Sequence, residues 1–476
     1  MPARPIIVPE DVPVELVEGF EKLMTEVGVT DDFPDEVEQA AEQACSASLP
    51  LSPPDLTAIE FFAIDPPGAK DIDQIMHLSR DGDGYLVRYG IACVSAFVEP
   101  GGPVDVESHR RGQTYYAPHR RFPLYPPVLS ESAASLLAGQ TRPAFVWHIR
   151  LDAAGEVVDV DLGRAMVRSR EQLTYDDAQA RIDDGSASES LMLLREIGEK
   201  RLKIETERGG VSLNLPAQEV EVVDGQWTLI FRAALPVEDW NAQISLLTGI
   251  CAAKLMLRAK VGIVRTLPAA DERALRRLRR VARAMGVPWP DDMGYPDFVR
   301  SLDPETPKGV AMMYACTSLF RGAGYLSFDG TVPKDNEHAA LATPYAHTTA
   351  PLRRLVDRYV LECCAAIVAG EEVPGWVREA LPELPEQMTE ADRRAKRFER
   401  GIVDLVEALV LHDRIGQSFR GTIVDVDDQD GDRGSLLLED PAVEARLVGK
   451  RLEAGEEVDA TLESADMVTG KVEFRS

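Results

Sequence analysis

An acid-rich turn between two apolar segments is the feature that most restricts how this chain can fold. Residues 64–76 read IDPPGAKDIDQIM and place Asp65, Asp71 and Asp73 within nine residues, next to the apolar run 61–64. Carboxylates this close repel one another and raise one another's pKa values unless a cation neutralises them. The segment is therefore either a solvated acidic turn, which an acid-rich chain can supply by chance, or a cation site.

The prolines and the glycine in this turn restrict its conformation. Pro66, Pro67 and Gly68 exclude a helix through the first half. We therefore expect Asp65 to end a short strand, with Asp71 and Asp73 on a turning loop and their side chains on one side. Oxygen ligands select hard ions, and Mg²⁺ keeps several waters and leaves room for the phosphate oxygens of a substrate. The cation interpretation thus predicts a magnesium site suited to phosphoryl chemistry.

Periodicity along the chain predicts an α+β protein, and a length of 476 residues allows two or three domains. Residues 10–48 have the spacing of two amphipathic helices. Strand-like runs with turn residues between them predict a mixed sheet over about 56–163. We expect a helix over 170–207, a hairpin over 219–232, a helix over 236–260 and more helices to about 413. Five short strands after 413 predict an OB-type barrel.

Cysteine usage and the N-terminus bear on where the protein works. The six cysteines show no CxxC spacing, so neither a zinc site nor a disulfide framework is indicated. The N-terminus lacks a basic region followed by an apolar one, and no stretch approaches about 18 uninterrupted apolar residues. We therefore expect a cytoplasmic protein without a membrane partner.

The acid-rich turn resembles the active-site loop of the ribonuclease II (RNB) family. In that pattern an Ile-Asp is followed, after five residues, by Asp, an apolar residue and two more Asp. Asp65, Asp71 and Asp73 match it, and Gln74 stands at the fourth acid. The resemblance implies that these four residues hold the metal and that Asp73 is catalytic. Gln74 offers a carbonyl oxygen without a charge, so the site carries one negative charge fewer.

A second segment, HAALATPYAHTTAPLRRLVDRY (338–359), is similar to the closing motif of the family, YAHFTSPIRRYxD. The resemblance implies that Arg353 holds the scissile phosphate and that Arg354 contacts RNA. An arginine suits the first role because its fork can donate to two phosphoryl oxygens at once. The alternative is that both arginines are solvated residues at a helix start after Pro351.

A third segment, RRGQTYYAPHRRFPLYP (110–126), is similar to the family's TxYLPxxxIPMLP. Tyr116 falls on the tyrosine that stacks on the terminal base, and Tyr175 matches a further tyrosine near the substrate. Leu213 stands where the family has a phenylalanine opposite the first tyrosine, so half of that clamp is aliphatic. Both tyrosines could instead be core residues with hydrogen-bonded hydroxyls.

Two further segments concern RNA contact. Residues 240–247 contain Asn241 and Gln243, but no acid, where relatives carry a glutamate that contacts a ribose. The run ERALRRLRRVARAM (272–285) puts six arginines into one helix, which is either an amphipathic helix with a solvated face or an RNA contact. The net charge of −28 argues against nonspecific coating of nucleic acid, so RNA would need local basic contacts and metal ions.

The resemblance covers about 50–476 and implies an RNB-type mixed sheet-and-helix catalytic domain. We expect a helical N-terminal segment (1–50), the catalytic domain (51–413) and an RNA-binding OB-type barrel (414–476). The implied function is a Mg²⁺-dependent 3′→5′ exoribonuclease that hydrolyses single-stranded RNA to nucleoside 5′-monophosphates. The alternatives are a catalytically weakened RNA-binding or regulatory protein with the same fold, and an acidic scaffold that binds a partner protein. The oligomeric state is not predicted.

Overall fold

The two N-terminal helices pack against different parts of the molecule. The computed structural model describes residues 14–47, 53–117, 121–213, 217–223, 226–232, 234–303, 306–427, 430–438 and 440–476. Helices α1 (Val14–Val27) and α2 (Asp35–Ser46) confirm the periodicity of this region. Phe20 of α1 belongs to the hydrophobic cluster of the C-terminal barrel, whereas Val37 of α2 belongs to the main core. The N-terminal segment therefore joins both halves of the protein.

A closed barrel of five strands forms the centre of the fold, with two short strands and a helix inserted in its sequence. These elements are β1 (Phe61–Ile64), β2 (Gln74–Asp81), β3 (Gly84–Ala92), α3 (Pro103–Arg111), β4 (Tyr115–Tyr116), β5 (Arg121–Phe122), β6 (Thr141–Leu151) and β7 (Val157–Leu173). The order around the barrel is β1-β2-β3-β6-β7, and only the closing β1–β7 pair is parallel. The expected mixed sheet is therefore confirmed, and its strands close on themselves.

Helices dominate the region between this barrel and the C-terminal one. The elements are α4 (Tyr175–Asp184), α5 (Glu189–Arg208), β8 (Ala217–Val223), β9 (Gln226–Arg232), α6 (Pro236–Ala259), β10 (Val261–Thr266), α7 (Glu272–Ala284), α8 (Tyr295–Arg300), α9 (Pro307–Cys316), β11 (Gly324–Asp329), α10 (Leu355–Ala369), α11 (Gly375–Ala380) and α12 (Leu384–Leu411). The hairpin expected over 219–232 is the β8–β9 pair, and its turn at 224–225 lies outside the described residues.

The expected single helix over 170–207 is wrong, because β7 continues to Leu173 and the helical part is interrupted. Thr174 caps α4 by accepting a hydrogen bond from the Asp177 N–H at 3.0 Å. Gly185, with φ of 76°, ends α4 in the left-handed region that favours glycine. Ser188 then caps α5. The sequence contains these capping residues, but the helical spacing of apolar residues continues across them, so it predicted one uninterrupted helix.

Helix α6 is the long core helix of the second half, as its apolar face predicts. By length and composition it could cross a membrane, but 56% of its most apolar window is buried inside the protein. It packs against α5 and α10, and Ile244 and Leu247 are fully buried.

The C-terminal strands form a second closed barrel of five strands, which confirms the expected OB-type topology. The strands are β12 (Ser418–Val426), β13 (Arg433–Leu438), β14 (Glu444–Val448), β15 (Glu457–Asp466) and β16 (Lys471–Arg475). Their order is β12-β13-β14-β16-β15, and the rings of Phe419 and Phe474 pack edge to face at 5.6 Å. Helices α1 and α12 pack together, and α12 also packs on β15 and β16. The domain limits at 50 and 413 stay a prediction.

Candidate active site

Two of the predicted acids lie where barrel strands end and begin. The Asp65 N–H donates to the Leu173 carbonyl at 3.0 Å, which continues the β1–β7 pairing one residue beyond β1. The Asp73 carbonyl accepts from the Ala92 N–H at 2.9 Å, directly before β2. Asp65 thus ends a strand as expected, and the backbone of both acids is fixed by the barrel.

The loop between these acids is held by side chains of the barrel region. Ser135, which is fully buried, accepts from the Ile72 N–H at 2.8 Å and donates to the Lys70 carbonyl at 2.6 Å. The side chain of Gln172 donates to the Ala69 carbonyl at 3.0 Å. These contacts satisfy backbone groups that a loop against the barrel would otherwise leave unpaired. The acid-rich turn is therefore a supported loop, which argues against the solvated-turn interpretation.

The acid loop and the closing motif meet directly at Asp73. One carboxylate oxygen accepts from the Leu352 N–H at 2.7 Å, across 279 residues of sequence. The other lies 3.2 Å from Nε of Arg353. Asp73 is 2% exposed, whereas the Arg353 side chain is 32% exposed. Arg353 therefore joins the buried acid to solvent, where an anionic ligand can approach it.

Asp357 organises the closing motif and was not predicted as a site residue. It is fully buried, accepts from the Ala350 N–H at 2.7 Å and receives two hydrogen bonds from the Arg354 guanidinium. Asp357 falls on the final Asp of the family motif, and this match could have marked it as a site residue. Arg354 is thus paired with a buried carboxylate and only 22% exposed, and its contact with RNA stays a prediction.

Burial changes the protonation of the acids. It raises the pKa of Asp65 to about 7, with Arg353 opposing the rise and Asp71 adding to it. Burial also raises the pKa of Asp73 well above its ordinary value, although Arg353 and the Leu352 N–H act against this. A bound cation would oppose both rises, because an opposite charge favours the ionised carboxylate.

The oxygen atoms around Asp73 fit a hard cation. Oδ2 of Asp65 and Oε1 of Gln74 are buried and have no hydrogen-bond partner among the described residues. Such orphaned buried oxygens are costly unless something binds them. Within the described ranges no three or more His, Cys, Asp or Glu are grouped to hold a metal ion, so the predicted ligand set is not preassembled from acids. The assignment of Asp65, Asp71, Asp73 and Gln74 as ligands stays a prediction.

Arg121 contacts the remaining acid and was missed by the sequence reasoning. Its Nη1 donates to Oδ1 of Asp71, and its Nη2 lies 2.8 Å from Oε1 of Glu131. Arg121 was one of several arginines in the third segment, and nothing in their spacing distinguished it. Two of the three predicted acids, Asp71 and Asp73, therefore each pair with an arginine.

The predicted RNA-stacking residues lie in different surroundings. The hydroxyl of Tyr116 donates to Oδ2 of Asp71 at 3.4 Å, so this residue adjoins the acid loop. The hydroxyl of Tyr175, at the start of α4, accepts from Nδ2 of Asn241 at 3.4 Å. Leu213 packs against the hydrophobic cluster that α7, α8 and α9 form. The structure thus brings Tyr116 to the acids, and the contacts of all three residues with RNA stay predictions.

A buried acid from another helix contacts the segment 240–247, which lacks the glutamate of the family. Glu205 at the end of α5 is 5% exposed and accepts from Nε2 of Gln243 at 2.5 Å. Its other oxygen accepts from the Ser212 hydroxyl at 2.9 Å. Gln243 therefore has a carboxylate beside it that comes from another helix. The separation of 38 residues hid this pairing from motif reasoning.

The arginine-rich helix α7 has the expected amphipathic form. Leu278 and Ala282 are buried, and Arg276 forms an exposed i,i+4 pair with Glu272 at 3.0 Å. Arg279 lies over the Trp289 ring at 4.4 Å and has a structural role. RNA contact by the exposed arginines of this helix stays a prediction.

Two family models match this chain. Residues 54–370 match the RNB domain, and residues 417–476 match the RNase II-type exonuclease C-terminal S1 domain. Ribonuclease R of Aquifex aeolicus is 27% identical over 387 residues, which cover 77% of this chain and 54% of that protein. The exosome complex exonuclease RRP44 homolog A of Arabidopsis thaliana is 27% identical over 378 residues, which cover 74% and 39%. The chain thus spans only about two fifths to one half of the length of these relatives.

Solved structures share the fold at low sequence identity. RNase R of Mycoplasma genitalium, in complex with ribose-methylated single-stranded RNA, superposes with a TM-score of 0.85 at 16% identity over 97% of this chain and 78% of that one. Yeast Ssd1, a pseudonuclease, superposes with a TM-score of 0.73 at 15% identity over 94% and 57%. The RNB domain match over residues 54–370 covers well over half of this chain, so the chain belongs to the RNB family.

Proposed function

We propose that the protein is a magnesium-dependent exoribonuclease that degrades single-stranded RNA from its 3′ end to nucleoside 5′-monophosphates. The contact between Asp73 and Arg353 carries this proposal, because it joins a buried acid to a partly exposed guanidinium that an RNA phosphate can approach. Several relatives are named as exosome complex exonucleases, which supports the same activity.

The residues around this contact have separate tasks. Bound Mg²⁺ would supply Lewis-acid stabilisation of the phosphoryl oxygens and lower the pKa of a water. Asp65, Asp71, Asp73 and Gln74 would hold the ion. Arg353 would donate to the phosphoryl oxygens as their charge grows, and its position beside Asp73 keeps the guanidinium in place before RNA arrives.

RNA would be held by few cationic groups and by aromatic contacts. With a net charge of −28, the protein attracts RNA only through local basic residues such as Arg353. Tyr116 adjoins the acid loop, where a tyrosine ring can stack on a base of any sequence. The 2′-hydroxyl would distinguish RNA from DNA. We expect the protein to act in the cytoplasm.

The test compares end-labelled RNA and DNA. Purified protein with Mg²⁺ should shorten a 5′-labelled single-stranded RNA progressively, and should release labelled mononucleotide at once from the 3′-labelled RNA. The DNA of the same sequence should stay intact, and EDTA should stop the reaction. Early release of labelled mononucleotide from the 5′-labelled RNA would show that degradation starts at the 5′ end. RNA that stays intact would refute the proposed nuclease activity.

The second candidate is an RNA-binding or regulatory protein with weakened catalysis. Gln74 motivates it, since this residue removes a charge from the ligand set, and the likeness to Ssd1 shows that the fold also occurs in a pseudonuclease. The three acids and Arg353 are nevertheless present: Asp71 and Asp73 contact arginines, and the barrel fixes the backbone of Asp65. RNA that binds tightly and stays intact with Mg²⁺ is the result that would favour this candidate.

A further inference from the structure

Helix α7 has one face that consists almost entirely of arginine. At about 100° per residue, its five exposed arginines fall within an arc of about 120°, and the only other residue in that arc is Ala284. The opposite side is anchored by Leu278 and Ala282, which are buried. The helix is therefore fixed by its apolar side and presents a row of guanidinium groups to solvent. The five arginines are Arg273, Arg276, Arg277, Arg280 and Arg283.

Three of these arginines are not neutralised by an acid of the protein. Arg276 pairs with Glu272 at 3.0 Å. In contrast, Arg273, Arg280 and Arg283 form no ion pair with an acid in the described part of the chain. The protein contains 80 acids and 52 lysines or arginines, so a basic group without an acidic partner is not expected from composition. Because a helix rises 1.5 Å per residue, the three charges are spread over about 15 Å, which suits a partner with several negative charges in a row.

The barrel beside this helix supplies little positive charge of its own. Helix α7 packs in one hydrophobic cluster with Val424 of β12 and Leu437 of β13. Residues 414–476 contain 15 acids and eight lysines or arginines. Four arginines on the strands of this barrel pair with its acids, namely Arg420, Arg433, Arg446 and Arg475. An anionic partner on this side of the protein therefore meets unpaired positive charge on α7 rather than on those arginines.

The composition of the arginine face favours RNA over a protein as this partner. The buried centre of a protein–protein interface is mostly apolar and poor in charge. The arginine face offers no apolar side chain larger than that of Ala284. A guanidinium, in contrast, can bind a phosphate through two nitrogens, and needs no apolar anchor.

We propose that the arginine face of α7 binds the phosphate backbone of the RNA substrate, on the 5′ side of the nucleotides held at the acid loop. This inference rests on the proposed exonuclease function and adds to it an RNA contact outside the acid loop. The contact is electrostatic, so it does not depend on base sequence, and it strengthens affinity only for RNA that is long enough to reach α7.

The test measures RNA affinity in EDTA, so that hydrolysis does not interfere. The α7 variant combines Arg273→Gln, Arg280→Gln and Arg283→Gln, because glutamine removes the charge and is a good helix former. For a single-stranded RNA of about twenty nucleotides, it should bind about fivefold or more weakly than the wild type at low salt, with a log–log salt slope reduced by about two to three units. For an RNA of about four nucleotides, measured by competition with the long RNA, the affinity should change by less than about threefold.

Two further variants control for net charge and for the type of contact. The charge control combines Arg80→Gln, Arg150→Gln and Arg195→Gln, and it lowers the net charge by the same amount. Each of these arginines is about half exposed and pairs with its own acid on the first barrel or α5. Its affinity for the long RNA should stay within about threefold of the wild type, because distant exposed charges are screened by salt. Lysine at the three α7 positions keeps the charge and should retain the affinity within about threefold.

Each outcome bears on the inference. Unchanged affinity of the α7 variant for the long RNA would overturn it, and the face would then be a solvated surface or the contact of an acidic protein. An equal loss in the charge control, or an equal loss for the short RNA, would also overturn it, because the effect would then come from net charge or from the active site. If circular dichroism shows that the α7 variant is unfolded, Arg280→Gln alone replaces it. The salt slope should then fall by about one unit, and an unchanged slope would refute the contact.

The inference and the nuclease proposal can fail separately. If the wild type degrades RNA with Mg²⁺ and the α7 variant binds the long RNA as the wild type does, the role of α7 is refuted and the nuclease stands. If the α7 variant shows the expected loss but the wild type hydrolyses no RNA, the nuclease is refuted and the contact on α7 stands. A wild type that binds no RNA, with or without Mg²⁺, would refute both.

Discussion

The two closed barrels of this protein have the same number of strands but treat charge in opposite ways. The first barrel fixes the acid loop, and Asp73 at the start of β2 is 2% exposed with an arginine beside it. The second barrel keeps its ion pairs on the surface, as in Arg420 with Glu457, whose side chains are 70% and 47% exposed. Exposed pairs contribute little to stability, about 0–1 kcal/mol each.

The difference shows where chemistry can take place. A buried acid costs free energy that a soluble protein avoids unless the group is used or neutralised. The first barrel accepts that cost at Asp65 and Asp73, whose pKa values burial raises. The second barrel has an apolar interior, with Phe474 fully buried, and offers RNA only its surface. We therefore propose that catalysis takes place at the first barrel and that the second barrel contributes only to RNA binding.

Apart from loss of the Asp73 carboxylate, the largest expected effect is on turnover, from Arg353→Ala. Removing a preorganised donor to the phosphoryl oxygens should lower the single-turnover rate by roughly 10²–10³-fold, with a much smaller loss of RNA affinity. Arg378→Ala is a suitable control, because Arg378 forms a half-exposed pair with Asp329 outside the site. If Arg353→Ala lost only affinity, the proposed catalytic role would be wrong and the RNA-binding candidate would gain.

A smaller effect, on stability, is expected from Asp65→Asn. The pKa of Asp65 is raised from 3.8 to about 7, so the native state binds more protons than the unfolded state between these values. Stability should therefore fall as pH rises through this window, and it should stay low above it. In EDTA, Asp65→Asn should raise the free energy of unfolding by about 1–3 kcal/mol at pH 8 and change it little near pH 4.

Urea unfolding of Asp65→Asn at the two pH values checks this sign. Asp83→Asn, at an exposed position of the β2–β3 turn, is the control and should show no such pH dependence. An Asp65→Asn difference that is the same at both pH values would mean that the pKa of Asp65 is not raised in the native state.

Gln74→Asp should have a moderate effect on the metal requirement. The new carboxylate adds a charge to the ligand set, so the Mg²⁺ concentration for half-maximal hydrolysis should fall by about three- to tenfold, or about 1 kcal/mol. The measurement is the initial rate of RNA hydrolysis across a Mg²⁺ series. An unchanged or higher requirement would show that Gln74 does not contribute to the ion.

The smallest effect is expected beside the second barrel, where α7 packs in one hydrophobic cluster with Val424 of β12. If its exposed arginines contact RNA, Arg276→Ala with Arg280→Ala should lower affinity and reduce the log–log salt slope by about one unit per lost contact. Turnover at saturating RNA should not change. A loss of turnover without a change in the salt slope would contradict the assignment of catalysis to the first barrel and of binding to the second.

Local spacing predicted the acid-rich turn, its place at a strand end and the C-terminal barrel, and the resemblance to the RNB family predicted the role of the closing motif. It did not predict closure of the first barrel, since the parallel β1–β7 pair joins Phe61 to Ser169 and no local pattern marks such pairing. It also missed Arg121 and Glu205, which act through partners far away in the chain. The continuous apolar spacing over 170–207 concealed the helix break that Gly185 makes.

The most direct test of the central claim is a comparison of wild type and Asp73→Asn in RNA binding and hydrolysis. Asparagine keeps the shape of the side chain and removes its charge. We predict that Asp73→Asn binds a 5′-labelled single-stranded RNA with an affinity within about threefold of the wild type, since the substitution removes none of the side chains proposed to contact RNA. It should release no mononucleotide when Mg²⁺ is added. Hydrolysis by Asp73→Asn at the wild-type rate would contradict the assignment of the active site to the acid loop of the first barrel.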